Sequence, residues 1–268
     1  MEDVKENLSF DSLANLAIDP DVLAKELAAE IVGDPLDELE LDPSSDDTKM
    51  AFECEQGLKW LQAGQEERLQ GLRVFCEHRD PRSLPFLLPL LQEPCPVERM
   101  SAVYALGRNP CPRAVDILVQ ILHQDCNAFV RRATAWSLGN YSSSPVLKPL
   151  VHSLRNDVSA VRLWASSSLA EIGSSSSENA DYAVKELLMS LKIDVEPGVR
   201  SNCIWSLGRL YDQVNQDQKD ELVDAIITVL HNDTEASVRY EARIALEQID
   251  NPKAQECFKE LNIDGQLI

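Results

Sequence analysis

Cysteine and histidine side chains are the first candidates for chemistry in this sequence. Three cysteines fall in proline-rich or polar stretches that predict loops: Cys95 in EPCPVERM, Cys111 in NPCPRAV and Cys126 in HQDCNAF. His123 lies three residues before Cys126. Thiolates and an imidazole suit zinc, iron or an iron–sulfur centre. Cys95, His123 and Cys126 are therefore candidate metal ligands, and the alternative is that they are spare thiols and a spare imidazole in a reducing cytosol.

Enzyme signatures are missing from the sequence. It contains no glycine-rich phosphate loop, no GxSxG, no HExxH and no CxxC. We therefore expect no catalytic residues and no intrinsic cofactor. The seven cysteines are an odd number, and the acidic start MEDVKENLSF does not resemble a secretory signal. Both features favour a cytoplasmic protein with reduced thiols.

The charge distribution narrows the choice of partner. The net charge is −20, and residues 1–47 account for −13 of it, with 15 Asp or Glu against two Lys. A nucleic-acid partner is excluded because it would need a basic footprint. No apolar run is long enough to cross a membrane. The acidic arm could meet a basic partner, fold over its own body or keep the protein in solution.

A repeat explains how the chain positions its charged residues. The segment VRRATAWSLGNY returns as VRLWASSSLAEI, VRSNCIWSLGRL and VRYEARIALEQI. Apolar anchors recur every 31 to 39 residues, and an arginine stands seven positions before each one. The arginines are Arg68, Arg99, Arg131, Arg162, Arg200 and Arg239, and the aspartates that precede the last four of them are Asp125, Asp157, Asp194 and Asp233. We interpret both columns as a structural ladder, in which the guanidinium fork bridges successive units and each aspartate caps the next first helix.

Each unit reads as two helices. The first carries the arginine, a small residue and the apolar anchor at helical spacing, and the second is strongly apolar, as in AVDILVQILHQ. Neither helix buries its face alone, so the units must stack. The segments at 50–64 and 251–263 are expected to cap the stack. We predict a helical, acidic arm over residues 1–47, with two short helices and a linker, and a solenoid over residues 48–268.

These residues resemble the HEAT-repeat family. The line D-x4-V-R-x2-A-x3-L is similar to its signature, in the short form of the phycobilisome-lyase-like HEAT proteins, and the resemblance covers residues 50–263. It implies an all-α, right-handed α-solenoid of about six helix pairs. It also implies Asp and Arg ladders between units, and second helices that line a concave, armadillo-like surface.

The resemblance leaves two functional readings open. One is a protein-binding scaffold, since the arm and loop cysteines are similar to those of a cyanobacterial HEAT-repeat protein that binds an A-type iron–sulfur carrier. That reading implies a role in iron–sulfur cluster assembly, with a cluster shared with the partner. The other is a bilin lyase-like protein that handles phycobiliproteins. From helical position alone, the predicted partner-binding residues are Asp116, Gln120, Lys148, Lys185 and Asp224.

Overall fold

The computed structural model describes residues 47–142 and 145–263, and within these ranges the chain is helical with no β-strand. The predicted all-α solenoid is confirmed. The helices are α1 (Asp47–Trp60), α2 (Gln65–Glu77), α3 (Leu84–Leu90), α4 (Pro96–Arg108), α5 (Val115–Gln124), α6 (Ala128–Gly139), α7 (Leu147–Asn156), α8 (Ser159–Gly173), α9 (Ser177–Ile193), α10 (Pro197–Leu210), α11 (Gln216–Asn232), α12 (Ala236–Gln248) and α13 (Pro252–Ile263). The two helices predicted for the arm lie outside the described residues.

The helices form six pairs that follow α1. The first helices of the pairs are α2, α4, α6, α8, α10 and α12, and each packs against the first helix of the next pair. The second helices are α3, α5, α7, α9, α11 and α13. From α5 onward, each second helix also packs against the next second helix. The second helices therefore make a row of their own beside the row of first helices.

Two residue columns of the repeat build the core between the first helices. The small-residue column is completely buried at Ala102, Thr134, Ala165, Cys203 and Ala242. The apolar anchors are buried to the same degree, and they are Phe75, Leu106, Leu138, Leu169, Leu207 and Leu246. Removing each such leucine from water contributes about 1.5–3 kcal/mol, and the small residues allow the helices to approach.

Gly107 shows how closely neighbouring first helices approach. A Cβ added to Gly107 would lie 2.4 Å from Cζ3 of Trp136 on the next first helix. We therefore expect Gly107→Ala to lower the free energy of unfolding by about 1–3 kcal/mol, because the indole ring has to move out of its packed position. Urea unfolding followed by circular dichroism measures the change.

Gly208 supplies the matched control, because it also directly follows a buried anchor. A Cβ there would meet only the Cβ of Ala245, at 3.9 Å. Gly208→Ala should leave stability unchanged or raise it by up to about 1 kcal/mol, through the better helix propensity of alanine. Equal losses from both substitutions would contradict the steric explanation.

Candidate protein-binding surface

Four arginines of the repeat bind aspartates of the following unit in a two-pronged arrangement. Arg162 donates from Nε and Nη2 to the two carboxylate oxygens of Asp194, both at 2.7 Å. The same geometry, with distances of 2.7 to 3.0 Å, recurs in three further pairs: Arg99–Asp125, Arg131–Asp157 and Arg200–Asp233. A planar fork against a planar carboxylate fixes direction as well as distance. The ladder therefore sets the angle at which successive units stack.

Each ladder arginine also holds the loop of its own unit. Nη1 of Arg162 donates to the carbonyl of Asp157 at 2.9 Å, and Nη1 of Arg131 donates to the carbonyl of Asp125 at 2.8 Å. One guanidinium therefore ties together two consecutive loops. Because each ladder arginine makes both contacts, the loops between successive units are joined by a continuous chain of charge-assisted hydrogen bonds.

The aspartates do not cap the helices in the way that the sequence predicted. Oδ1 of Asp125 accepts from the backbone N–H of Asn127 at 2.8 Å, and Oδ1 of Asp194 accepts from that of Glu196 at 3.0 Å. Asn127 and Glu196 are themselves the residues that precede α6 and α10. The carboxylates therefore form turns that lead into the helices, because each aspartate stands two residues before the N-cap position rather than at it.

The ladder changes at both ends of the stack. Arg68 meets Glu93 at 3.4 Å and Glu98 at 3.5 Å, and Glu98 is buried. Arg239 donates to the carbonyls of Asp233 and Thr234 in its own unit. The two-pronged pairing therefore involves the arginines of the four middle units, each of which has a unit on both sides.

The ladder shifts the pKa values of its members. Burial works to raise the pKa of Asp194, but hydrogen bonds from Arg162 and from the backbone outweigh it, so the pKa lies below its usual value. The pKa values of Asp125 and Asp157 are lowered in the same way. At Asp233 the hydrogen bond from Arg200 is the main cause of the lowered pKa. All four carboxylates are therefore held in the charged form.

These pKa values predict acid sensitivity with a definite sign. The unfolded chain takes up protons at these carboxyls near pH 4, before the folded chain does. The ladder's contribution should therefore be complete above about pH 5 and should disappear as the pH falls through the lowered folded pKa values. Urea midpoints measured from pH 7 to pH 3 test this. Asp194→Asn should be less stable at pH 7 but should lose less on acidification, and an unchanged acid slope would contradict the assignment.

The predicted partner-binding residues all lie on second helices. Asp116, Lys148, Lys185 and Asp224 occupy the same position of α5, α7, α9 and α11, nine residues before the ladder aspartate, and all four are exposed. Asp224 already accepts a salt bridge from Lys253 on α13, at 2.7 Å. Gln120 is exposed on α5, and its amide donates to Gln124. The row therefore presents side chains of both charges at regular intervals.

The structure brings together second-helix residues that the sequence did not single out. Arg155 on α7 binds Glu186 on α9 through both carboxylate oxygens, at 2.6 and 2.8 Å. Beside this pair lies a cavity of about 260 Å³, whose lining includes Leu154, Met189 and Ile193. The surface between α7 and α9 thus combines a fixed ion pair with an apolar depression.

The three candidate metal ligands do not assemble. Across residues 49–142 and 145–260, no group of three or more His, Cys, Asp or Glu side chains is placed to hold a metal ion. The ring of His123 packs edge-on against His152, with centroids 4.8 Å apart, so it faces the next second helix rather than the loop. Cys95 and Cys126 both lie near the Arg99 guanidinium. Cys95 and Cys126 are thus two loop thiols and His123 belongs to a separate histidine pair, and metal binding by these three residues stays a prediction.

The helix-borne cysteines lie in the protein interior. Burial raises the pKa of both Cys76 and Cys203 to about 12, which keeps the thiols protonated. Cys257 lies 3.5 Å from Nε2 of His231, a pair that the sequence did not indicate. Burial, followed by the nearby Glu260, raises the Cys257 pKa, so this pair does not provide a reactive thiolate. In the described part of the chain, no helix combines the length and apolarity needed to cross a bilayer.

Comparison with solved structures shows the same type of fold in the karyopherin Kap121p. The complex of Kap121p with the extreme C-terminus of the protein phosphatase Cdc14p matches with a TM-score of 0.59 and 16% identity, over 85% of this chain and 28% of that one. The complex with Ste12p gives the same four values. A further crystal structure of Kap121p matches with a TM-score of 0.56 and 17% identity, over 78% of this chain and 26% of that one. The chain thus spans less than a third of the length of these proteins, and the likeness concerns the fold.

The family assignment comes from the sequence. No curated protein matches the chain. A family model of HEAT repeats matches residues 58–139 and again 115–208, which together exceed half of the chain. The matched segments cover the middle junctions of the Arg–Asp ladder, from Arg99 to Asp194. With the stacked helix pairs and this ladder, the match shows that the chain belongs to the HEAT-repeat family.

Proposed function

We infer that this protein is a non-enzymatic scaffold that binds another protein along its row of second helices. The observation that carries the inference is the regular, exposed column formed by Asp116, Lys148, Lys185 and Asp224 on a backbone held in place by the ladder. A backbone that is already fixed loses little conformational entropy when a partner binds. Kap121p, which shares the fold, has been crystallised with the extreme C-terminus of Cdc14p and with Ste12p.

Charge reversal tests the surface. The tagged full-length protein is used to capture partners from its own source cells, and the captured proteins are identified by mass spectrometry. We expect Lys148→Glu with Lys185→Glu to reduce capture at least tenfold, a loss of about 1.4 kcal/mol in binding. The control reverses Lys59 and Lys259, which are exposed on α1 and α13 and change the net charge equally. Equal capture by both variants would show that another surface is used.

An A-type iron–sulfur carrier is the partner that we favour for this scaffold, with a role in cluster assembly or delivery. Cys126 is exposed and Cys95 is half-buried, and both are close enough to Arg99 to act on its charge, so two thiols on adjacent loops could contribute to a cluster shared with the partner. Iron–sulfur clusters are commonly held by four cysteine ligands. The carrier would therefore have to provide the remaining ligands.

Cysteine substitution tests this assignment. The complex purified from source cells should contain a small carrier protein and should show the visible absorption of an iron–sulfur cluster. Cys95→Ser with Cys126→Ser should abolish the absorption, whereas Cys203→Ser, in the core, should change only stability. If the captured partner contains no cluster, the shared-cluster hypothesis is wrong and the scaffold function still stands. A visible band that appears with added bilin would instead favour the phycobiliprotein-handling alternative.

A further inference from the structure

We propose that the surface between α7 and α9 binds an acidic amphipathic helix of the partner protein. This inference rests on the proposed scaffold function and specifies the chemistry of the partner. We call the surface the basic patch, and define it by Lys148, Lys185 and Lys192 together with Met189 and Ile193. Lys192 lies at its edge, because it lines the depression between α9 and α11. Three observations carry the proposal: its sign of charge, its exposed apolar side chains and its rigid floor.

The basic patch carries positive charge within a strongly acidic chain. Helix α7 contains Lys148 and Arg155 and no acid, although the whole chain has a net charge of −20. From Lys185 onward, the one acid of α9 is Glu186, and its carboxylate is bound by Arg155. The second helices on both sides differ, because α5 has Asp116 and no lysine or arginine, and α11 carries three more acids than lysines. The positive field is therefore confined to α7 and the second half of α9, where it would attract an anionic segment.

Apolar side chains are exposed within this charged surface. Met189 is 51% exposed and Ile193 is 71% exposed, and Val195 in the following loop is 80% exposed. Met189 and Ile193 are four residues apart, so they form a stripe on one side of α9. The cavity of about 260 Å³ lies beside them. Exposed apolar groups surrounded by polar ones mark interaction sites, and a stripe of helical spacing suits the apolar face of a second helix.

The charged side chains beneath the basic patch are already held in ion pairs in the absence of a partner. Arg155 and Glu186 neutralise each other across α7 and α9, and Arg162 does the same with Asp194. The lysines show no ion pair with a described carboxylate and remain available to a ligand. A single-stranded nucleic acid would use the charge but would gain little from the isoleucine and methionine. A helix with glutamates on one side and leucines on the other uses both.

The direct test is a binding titration with the full-length protein and a labelled peptide. The probe is an amidated peptide of about 18 residues, with leucine at helical spacing and glutamate elsewhere. Fluorescence anisotropy should show binding that weakens as salt is added, because the lysines are exposed. A peptide with lysine in place of glutamate, a peptide with serine in place of leucine, and an RNA oligonucleotide should each bind at least tenfold more weakly. Equal binding by any of the three would overturn the proposal.

Variants of the protein locate the site. Lys185→Glu with Lys192→Glu, and separately Ile193→Asp, should each weaken the glutamate–leucine peptide at least tenfold. Reversal of Lys59 and Lys259 should not. Unchanged affinity in the first two variants would overturn the basic patch as the site. If the peptide fails to bind while Lys148→Glu with Lys185→Glu still abolishes capture of the cellular partner, the scaffold function stands and only the acidic-helix chemistry fails.

Discussion

Arg162→Ala is expected to lower the free energy of unfolding by about 2–4 kcal/mol. The substitution removes three hydrogen bonds, two to Asp194 and one to the carbonyl of Asp157. It also deprives the Asp194 carboxylate, whose side chain is 6% exposed in the intact protein, of its two-pronged cation. Urea unfolding followed by circular dichroism measures the loss, and Arg162→Lys should restore less than half of it, because an ammonium cannot bind both oxygens and the carbonyl in one plane.

Lys253→Ala is the matched control for a salt bridge outside the ladder. Lys253 binds Asp224 at 2.7 Å, but both side chains are well exposed. Water replaces an exposed ion pair at little cost, so stability should not change measurably. If Arg162→Ala and Lys253→Ala behaved alike, the ladder would be an ordinary set of surface salt bridges, and the stacking of units would depend on apolar packing alone.

Asn109→Ala is expected to lower the free energy of unfolding by about 2–4 kcal/mol, although the asparagine itself does not recur in the other units. Its side chain is buried, and its amide donates to the carbonyls of Phe75, His78 and Ala105 at 2.9 to 3.1 Å. Its carbonyl oxygen accepts from the backbone N–H of Asp80 at 2.8 Å. Alanine would remove the partner of the buried Asp80 N–H and of the Phe75 carbonyl, so urea unfolding should show the loss and the Asp80 amide should exchange faster with deuterium.

Asn156→Ala is the matched control, because it also removes an asparagine from the end of a helix but does not remove buried hydrogen bonds between units. The Asn156 amide donates to the carbonyl of His152, but the group is exposed and water can take its place. Its replacement should change stability by no more than about 0.5 kcal/mol. A similar cost at both positions would show that Asn109 does not hold the first two units together.

The sequence predicted the contacts that recur with the same residue type and missed one that recurs with different residue types. The arginine column identified the ladder because the same residue stands at the same place in every unit. Asn109 and Tyr141 both lie three residues after an apolar anchor, and each donates to the carbonyl of the preceding anchor, Asn109 to Phe75 and Tyr141 to Leu106. Because one is an amide and the other a phenol, no repeat of residue type pointed to either of them.

Contacts between second helices also could not be predicted from the sequence. The Arg155–Glu186 pair joins residues 31 apart, and it depends on which sides of α7 and α9 face each other. Helical spacing places a residue on one side of its own helix but does not say which turn of the neighbour it meets. For the same reason His123 was grouped with Cys126, three residues away, whereas its ring contacts His152 on the next second helix.

The packing of second helices onto the first helix of the following pair has a consequence for modular engineering. Helices α9 and α10 pack together, and the loop between them contains Asp194, whose carboxylate is bound by Arg162 on α8. The unit that can be inserted or removed is thus a second helix together with the first helix that follows it. It is shifted by one helix from the first-then-second helix pair of the repeat. A protein shortened or lengthened by one such unit should be joined in the turn between the two helices of a pair, near Ser175 or Asn215. A junction beside Asp194 would disrupt its hydrogen bonds with Arg162.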